Sequence, residues 1–201
     1  MISNRVDETN RLDFPEGSYK TVSFIIPTVG RDSIIKTLES IETYPGDEVL
    51  VVQFPPPPLG WGGRERTAGI AASTGDYLAF IDDDDCYVPG VRSIMHQAAL
   101  ENPRELPIIF RMQYPSGRYI WTYPALHCGN VGTPMIFVPN KKEMFPVWGD
   151  QRFADFNWLN SLGWEARRFI WREEVVAVLG HEDERWLRYH PNADQSMHTS
   201  P

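Results

Sequence analysis

A chain of 201 residues, 42% hydrophobic and 23% charged, is long enough to bury the core of one ordinary globular domain, and this composition excludes a fibrous or disordered chain. Its formal net charge of −8 argues against a broad basic surface for nucleic acid or an anionic membrane. Two cysteines make neither a disulfide framework nor a thiolate zinc site, and no apolar run nears the ~20 residues that span a bilayer, so a cytoplasmic, reducing setting is expected.

In chain order, residues 1–20 read as a polar leader without a signal-peptide core. Val22 to Ile26 is a first strand, stopped by Pro27. A helix follows, with Asp32 or Ser33 as N-cap and Ile34, Ile35, Leu38 and Ile41 as its apolar face. Pro45-Gly46 ends it, and valine-rich Glu48 to Phe54 is a second strand. Pro55 to Pro58 reads as a stiff connector into Gly60-Trp61-Gly62-Gly63. A helix from about Arg64 to Ser73 comes next, with Gly75 as a C-terminal cap. Tyr77 to Asp82 is a third strand, and Pro89 to Glu101 a third helix with Pro89 near its first turn and Val91, Ile94, Met95 and Ala98 facing inward.

This β-α-β-α-β-α alternation predicts a mostly parallel sheet flanked by helices over residues 21–100. The second part, 101–189, reads as a smaller mixed-sheet region. Ile108 to Gln113 and Arg118 to Thr122 flank a turn at Tyr114-Pro115-Ser116-Gly117, and Pro134 to Val138 is a further strand. A helix is expected from Asp150 to Leu162, with Phe153, Phe156, Trp158 and Leu159 inward. Arg168 to Trp171 and Val175 to Leu179 read as two last strands, and 190–201 as a flexible tail.

The feature that points to chemistry is Asp82, Asp83, Asp84 and Asp85 at the end of the apolar run Tyr77 to Ile81. A buried strand that delivers carboxylates at its C-terminal end aims them at the usual ligand crevice of an open α/β sheet. Carboxylates this close repel unless a cation or many donors compensate them. Hard divalent cations take oxygen ligands, often one or two carboxylates plus substrate phosphates.

These residues carry a family resemblance. Ser23-Phe24-Ile25-Ile26-Pro27-Thr28, then Arg64-Glu65-Arg66-Thr67-Ala68-Gly69 with Gly75-Asp76, then Phe80-Ile81-Asp82-Asp83-Asp84-Asp85 with Pro89, resemble three ordered elements of family-2-type glycosyltransferases of the GT-A fold. The last of them corresponds to the DxD motif. The resemblance is good over 21–100 and loose over 125–180.

It implies a metal-dependent, inverting transfer of a sugar from a nucleotide-diphosphate donor to an acceptor hydroxyl. Asp82 would face the nucleotide, and Asp84 would hold Mn²⁺ or Mg²⁺, with Asp82 and His181 as further metal ligands. Asp83 or Asp85 would stand beside the metal rather than on it. Pro27, Thr28, Arg31, Gln53, Arg66, Asp82 and Asp83 would line the donor. For Arg66 a helix-surface ion pair with Glu65 or Asp76 is the plain alternative. The family's second strand ends in an aspartate that reads the base; here Gln53 stands there, without charge, and Thr67 replaces a common asparagine. A uridine-diphosphate sugar is slightly favoured as donor.

The base that deprotonates the acceptor would be Asp150 or Asp155, in a segment similar to the family's Glu-Asp-x-Asp helix start. Trp61 and Trp148 are candidate acceptor platforms, because an aromatic face can stack on a sugar ring. The competing readings are retaining transfer, nucleotidyl transfer, and a non-catalytic binding module of the same fold. A nucleotidyltransferase would show a Gly-rich basic loop after the first strand, which Pro27 to Arg31 is not. The acceptor is not readable, and a nucleic-acid acceptor has no support from the charge.

Overall fold

The computed structural model describes residues 2–4, 19–55, 60–162 and 168–180. Among them, nine strands form one mixed sheet in the order β1-β3-β2-β4-β8-β6-β9-β5, with β7 paired to β6. The strands are β1 (Ile2–Asn4), β2 (Val22–Thr28), β3 (Glu48–Gln53), β4 (Tyr77–Phe80), β5 (Cys86–Tyr87), β6 (Ile108–Gln113), β7 (Tyr119–Ile120), β8 (Ile136–Pro139) and β9 (Ile170–Val178). Four α-helices accompany them: α1 (Ile34–Glu39), α2 (Gly63–Ala72), α3 (Val91–Leu100) and α4 (Ala154–Ser161).

The first three expected strands form the parallel centre. β2 lies between β3 and β4, parallel to both, with Ile25 opposite Leu50 on one side and Phe80 on the other. Every residue of β2 and of β4 is buried. Strands covered on both faces read as continuous apolar runs, which is why these two are so plain in the sequence. β8 then pairs antiparallel with β4, and β6 with β8, so the second part of the chain continues the same sheet. Ile2–Asn4, expected in a loose leader, instead pairs antiparallel with Val52, Val51 and Leu50. It covers backbone groups that would otherwise form a bare sheet edge.

Several local expectations shift for identifiable reasons. α2 ends at Ala72, and Ser73 closes it in an extended conformation with its hydroxyl donating to the Ile70 carbonyl at 2.7 Å. Gly75 is therefore no helix cap. A Cβ there would lie 2.8 Å from the Ser23 backbone nitrogen, so glycine serves a close approach to β2. α3 starts one residue after Gly90, which has φ +81°, and leaves Pro89 outside the helix.

α1 buries Thr37 rather than Ile35, which is 58% exposed, because the Thr37 hydroxyl donates to the Asp85 carbonyl at 2.7 Å. α4 begins at Ala154 after Phe153 in a left-handed conformation (φ +62°), so Phe153 stays exposed while Trp158 and Leu159 are buried. The strand expected from Pro134 starts at Ile136, after a 3₁₀ turn over Thr133–Met135. The two last expected strands are one, β9, parallel to β6 with register shifts near Arg111. Its polar middle is accommodated by pairs of Arg172 with Glu174 and Glu101 and of Arg111 with Glu173. Pro56 to Pro58 of the expected connector and the expected tail lie outside the described residues.

A buried ion pair fastens this frame. Arg92 of α3 and Asp47, just before β3, are both fully buried, with Arg92 Nε 2.5 Å and Nη2 2.9 Å from the Asp47 oxygens. Asp47 also accepts the amides of Val22 (2.8 Å) and Tyr44 (2.7 Å), so one carboxylate ties α3 to the starts of β2 and β3. Removing one partner of such a pair strands a buried charge. Asp47→Ala is expected to lower stability by about 3–5 kcal/mol in denaturant unfolding, and Asp47→Asn by less, because it keeps acceptors for the two amides.

Candidate functional site

The four aspartates follow β4 and alternate in direction. Asp83 and Asp85 are buried, while the side chains of Asp82 and Asp84 are 36% and 33% exposed and face outward. β4 places them beside the C-terminal end of the parallel β2, whose last residues and following loop are sewn to Asp83. The Thr28 hydroxyl donates to Asp83 Oδ2 at 2.6 Å and the Val29 amide to the same oxygen at 3.3 Å. Arg31 Nη1 donates to Asp83 Oδ1 at 3.1 Å and to Asp84 Oδ2 at 2.8 Å. Asp85 accepts the Gly180 amide at 2.7 Å, which joins the carboxylate run to the end of β9.

Arg66 of α2 is buried and pairs with Asp82 through Nη2, so it turns into the site and makes no surface pair with Glu65 or Asp76. Its Nη1 donates to the Trp61 carbonyl at 2.7 Å. Among the described residues, the cations paired with the four carboxylates are Arg31 and Arg66, so the cluster holds more carboxylates than cations. Burial first, then the neighbouring Asp82 carboxylate, pushes Asp84 up to about 6 against the pull of Arg31. The same two causes hold Asp85 well above the carboxylate range.

No three His, Cys, Asp or Glu groups among the described residues form a ready-made metal cage. Two outward carboxylates, in a cluster with more carboxylates than cations, nevertheless suit a hard dication that draws its remaining ligands from a diphosphate. His181, expected as a further ligand, lies outside the described residues.

Gln53 ends β3 opposite Thr28, exposed, with its amide against the loop; a Cβ on Gly30 would stand 2.9 Å from Gln53 Nε2. Pro27 and Thr28 are buried in β2, so what this segment presents beside the carboxylates is the loop after it, with the Val29 amide and Arg31.

The two base candidates part here. The Asp150 Oδ1 accepts the amides of Trp61 and, at 3.4 Å, of Gly63. It thereby supplies the N-terminal cap that Gly62 has no side chain to provide for α2. A Cβ on Gly63 would be 2.3 Å from the Gly149 carbonyl, which shows how tightly the two segments meet. Asp155 lies in the first turn of α4, half-buried, with its own Oδ1 accepting the Phe156 amide at 2.7 Å. Burial raises its pKa to about 6, with Arg66 pulling down and Asp82 pushing up, so its carboxyl shares the electrostatic environment of the aspartate cluster.

The tryptophans also part. Trp61 is 55% exposed, next to the Arg66 guanidinium that its carbonyl accepts. Trp148, expected as a platform, is 2% exposed. It stacks on Trp158 at 4.5 Å, packs against Phe80 and carries the Arg66 guanidinium over its ring at 5.2 Å. Its face is taken by the core, and a sugar has no access to it. Thr67 was noticed in the sequence only as a departure from asparagine. Its hydroxyl oxygen accepts the Trp148 amide at 3.0 Å and donates to the Gly63 carbonyl at 2.9 Å, so it fixes the loop to α2. Thr37, also missed, carries no signal beyond helix position.

Residues 60–163 match the model of the family described as Glycosyl transferase family 2. Among solved structures, S. aureus TarS 1-349 in complex with UDP-GlcNAc is similar with a TM-score of 0.53 and 14% identity, over 82% of this chain and 59% of that one. Glucosyl-3-phosphoglycerate synthase from Mycobacterium tuberculosis, in complex with Mn²⁺ and UDP-glucose, is similar with a TM-score of 0.51 and 16% identity, over 84% of this chain and 74% of that one. This chain therefore spans about 60% of the TarS fragment. These likenesses carry the α/β GT-A fold. No curated protein sequence matches this chain.

Since Asp150 serves as a cap, Asp150→Ala is expected to lower stability by about 0.5–2 kcal/mol, read from the unfolding midpoint, with Asp150→Asn milder because its amide oxygen still accepts.

Proposed function

Because the chain belongs to glycosyl transferase family 2, we propose that it moves a sugar from a nucleotide-diphosphate donor to an acceptor hydroxyl, inverting the anomeric carbon. The observation that carries the mechanism is Asp155: a half-buried carboxylate, raised to about 6, in the electrostatic environment of Arg66 and Asp82. A base is most effective when its pKa is near the working pH. In the proposed reaction the Asp155 carboxylate takes the acceptor proton, the acceptor oxygen bonds to the anomeric carbon, and the bond from that carbon to the diphosphate oxygen breaks.

Asp84 and Asp82 would hold Mn²⁺ or Mg²⁺ in this reading. The cation supplies Lewis-acid stabilisation of the charge that gathers on the leaving diphosphate. The chain's own residues do the remaining work. Asp82 faces the nucleotide side, Arg66 keeps Asp82 oriented, and Thr28 with Arg31 holds Asp83 and the donor-side loop in place. Trp61 offers the exposed ring for the acceptor.

Residues 21–100 would bind the donor and 101–189 the acceptor. A uridine-diphosphate sugar is the favoured donor, in line with the UDP-sugars named for the two similar structures. Among the described residues no helix is long and apolar enough to cross a membrane, and neither cysteine forms a disulfide. Reduced thiols fit the cytoplasmic setting proposed for the chain.

The decisive experiment is turnover of a UDP-sugar panel, by donor hydrolysis or transfer, for three proteins. Asp84→Asn is expected to abolish turnover, and Asp155→Asn to lower it by roughly 10²–10⁴-fold with UDP affinity intact. Asp155 must be ionised to act, so kcat/KM of the wild type should fall as pH drops through about 6 and level off above it. Near-wild-type turnover of Asp84→Asn in EDTA would refute metal dependence.

Gln53 is proposed to contact the nucleobase. Gln53→Ala is then expected to weaken UDP binding by about 0.5–1.5 kcal/mol, and to alter the affinity order among UDP, GDP, ADP and CDP in calorimetric competition.

A further inference from the structure

We infer that Arg31 is the resting counter-ion of Asp84, and that it makes capture of the divalent cation conditional on the nucleotide. This rests on the metal-dependent reading above. Arg31 Nη1 sits 2.8 Å from Asp84 Oδ2, on the partly exposed carboxylate assigned to the metal, and 3.1 Å from Asp83 Oδ1. A lone pair that accepts the guanidinium is not free for a cation at the same position. A dication on Asp84 would also lie within a few ångströms of a permanent positive charge.

The arrangement gives Arg31 a fixed base and a free end. Its loop is anchored through Asp83, which is buried and accepts the Thr28 hydroxyl and the Val29 amide, while the Gly30 amide donates to Thr28 Oγ1 at 2.8 Å. The Arg31 side chain itself is 45% exposed. It can release Asp84 while its loop stays in place.

A diphosphate resolves the conflict. Its oxygens accept the guanidinium, which binds such groups in a fork, and they stand between the two cations. Metal and nucleotide then bind with positive coupling, and by linkage each raises the affinity of the other by the same factor. Arg66 does not duplicate the role, because it is buried and held by Asp82 and the Trp61 carbonyl.

The test measures Mn²⁺ binding by electron paramagnetic resonance of the free ion, without nucleotide and with saturating UDP, after correction for the Mn²⁺–UDP complex in protein-free buffer. Wild type and Arg31→Gln are compared at low salt and at about 1 M KCl, where the Debye length is about 3 Å and through-space effects between exposed charges are screened. For the wild type, UDP is expected to tighten Mn²⁺ by about 5–150-fold.

For Arg31→Gln, Mn²⁺ alone should bind at least about 5-fold tighter than to the wild type, UDP should bind more weakly, and the coupling should shrink, with the Mn²⁺ gain persisting at high salt. Arg31→Lys, which keeps the charge but lacks the fork, should show a smaller gain and serves if the glutamine variant does not fold. If Mn²⁺ binds the wild type with UDP but the Arg31 variants leave its nucleotide-free affinity unchanged, or the gain vanishes at high salt, the inference falls alone. If the wild type binds no Mn²⁺ even with UDP, the metal-dependent reading falls with it.

Discussion

Crowding of four carboxylates at the end of one buried strand is the constraint around which the rest of this molecule is arranged. Asp82 to Asp85 cannot all be ionised without compensation, and the compensation comes from distant parts of the chain. Arg31 and Thr28 reach in from the end of β2, Arg66 from α2, and the Gly180 amide from the end of β9. Each contact neutralises or solvates a carboxylate and also fixes the position of the element that supplies it. The electrostatic problem is therefore also the device that converges the strand ends and α2 on one crevice. The two carboxylates left outward, Asp82 and Asp84, are those with ligand capacity to spare.

The same network reaches the second part of the chain. Arg66 bridges Asp82 to the Trp61 carbonyl, and the Trp61 amide goes to Asp150. Thr67, the residue after Arg66, receives the Trp148 amide, and Trp148 stacks on Trp158 of α4. The helix that bears Asp155 is thus packed, through two tryptophans, against the helix that bears Arg66. A base for an acceptor hydroxyl has to be held within hydrogen-bonding reach of the reacting oxygen. Stacked aromatic rings with few rotatable bonds are suited to that task.

Asp150 and Asp155 show why the residue type does not settle a role. Both are carboxylates near the start of one helical segment, and local sequence treats them alike. Asp150 is exposed and spends its acceptor capacity on backbone amides of a helix start, where a carboxylate also meets the positive end of the helix dipole. Asp155 is half-buried, and that burial raises its pKa to about 6. The difference is one of surroundings: α4 is set against the sheet through Trp158 and Phe80, whereas Asp150 lies in an exposed loop.

The alternation of strands and helices through residue 100 is legible in the sequence alone, because β2 and β4 are buried on both faces and are therefore mostly apolar. So is the placing of carboxylates at a strand end, since the apolar run stops where the aspartates begin. Short-range signals suffice for both. Tertiary structure decided the rest. Ile2–Asn4 is a strand only because β3 offers an open edge, and β9 is one strand rather than two because β6 holds it across a polar middle. Trp148 is core rather than platform because Trp158, ten residues on, meets its face. Which aspartate pairs with which arginine depends on loops separated by some fifty residues, as in Arg31 and Asp83. Such long-range pairings leave no periodicity in the chain, because neither partner's type is dictated by its neighbours in sequence.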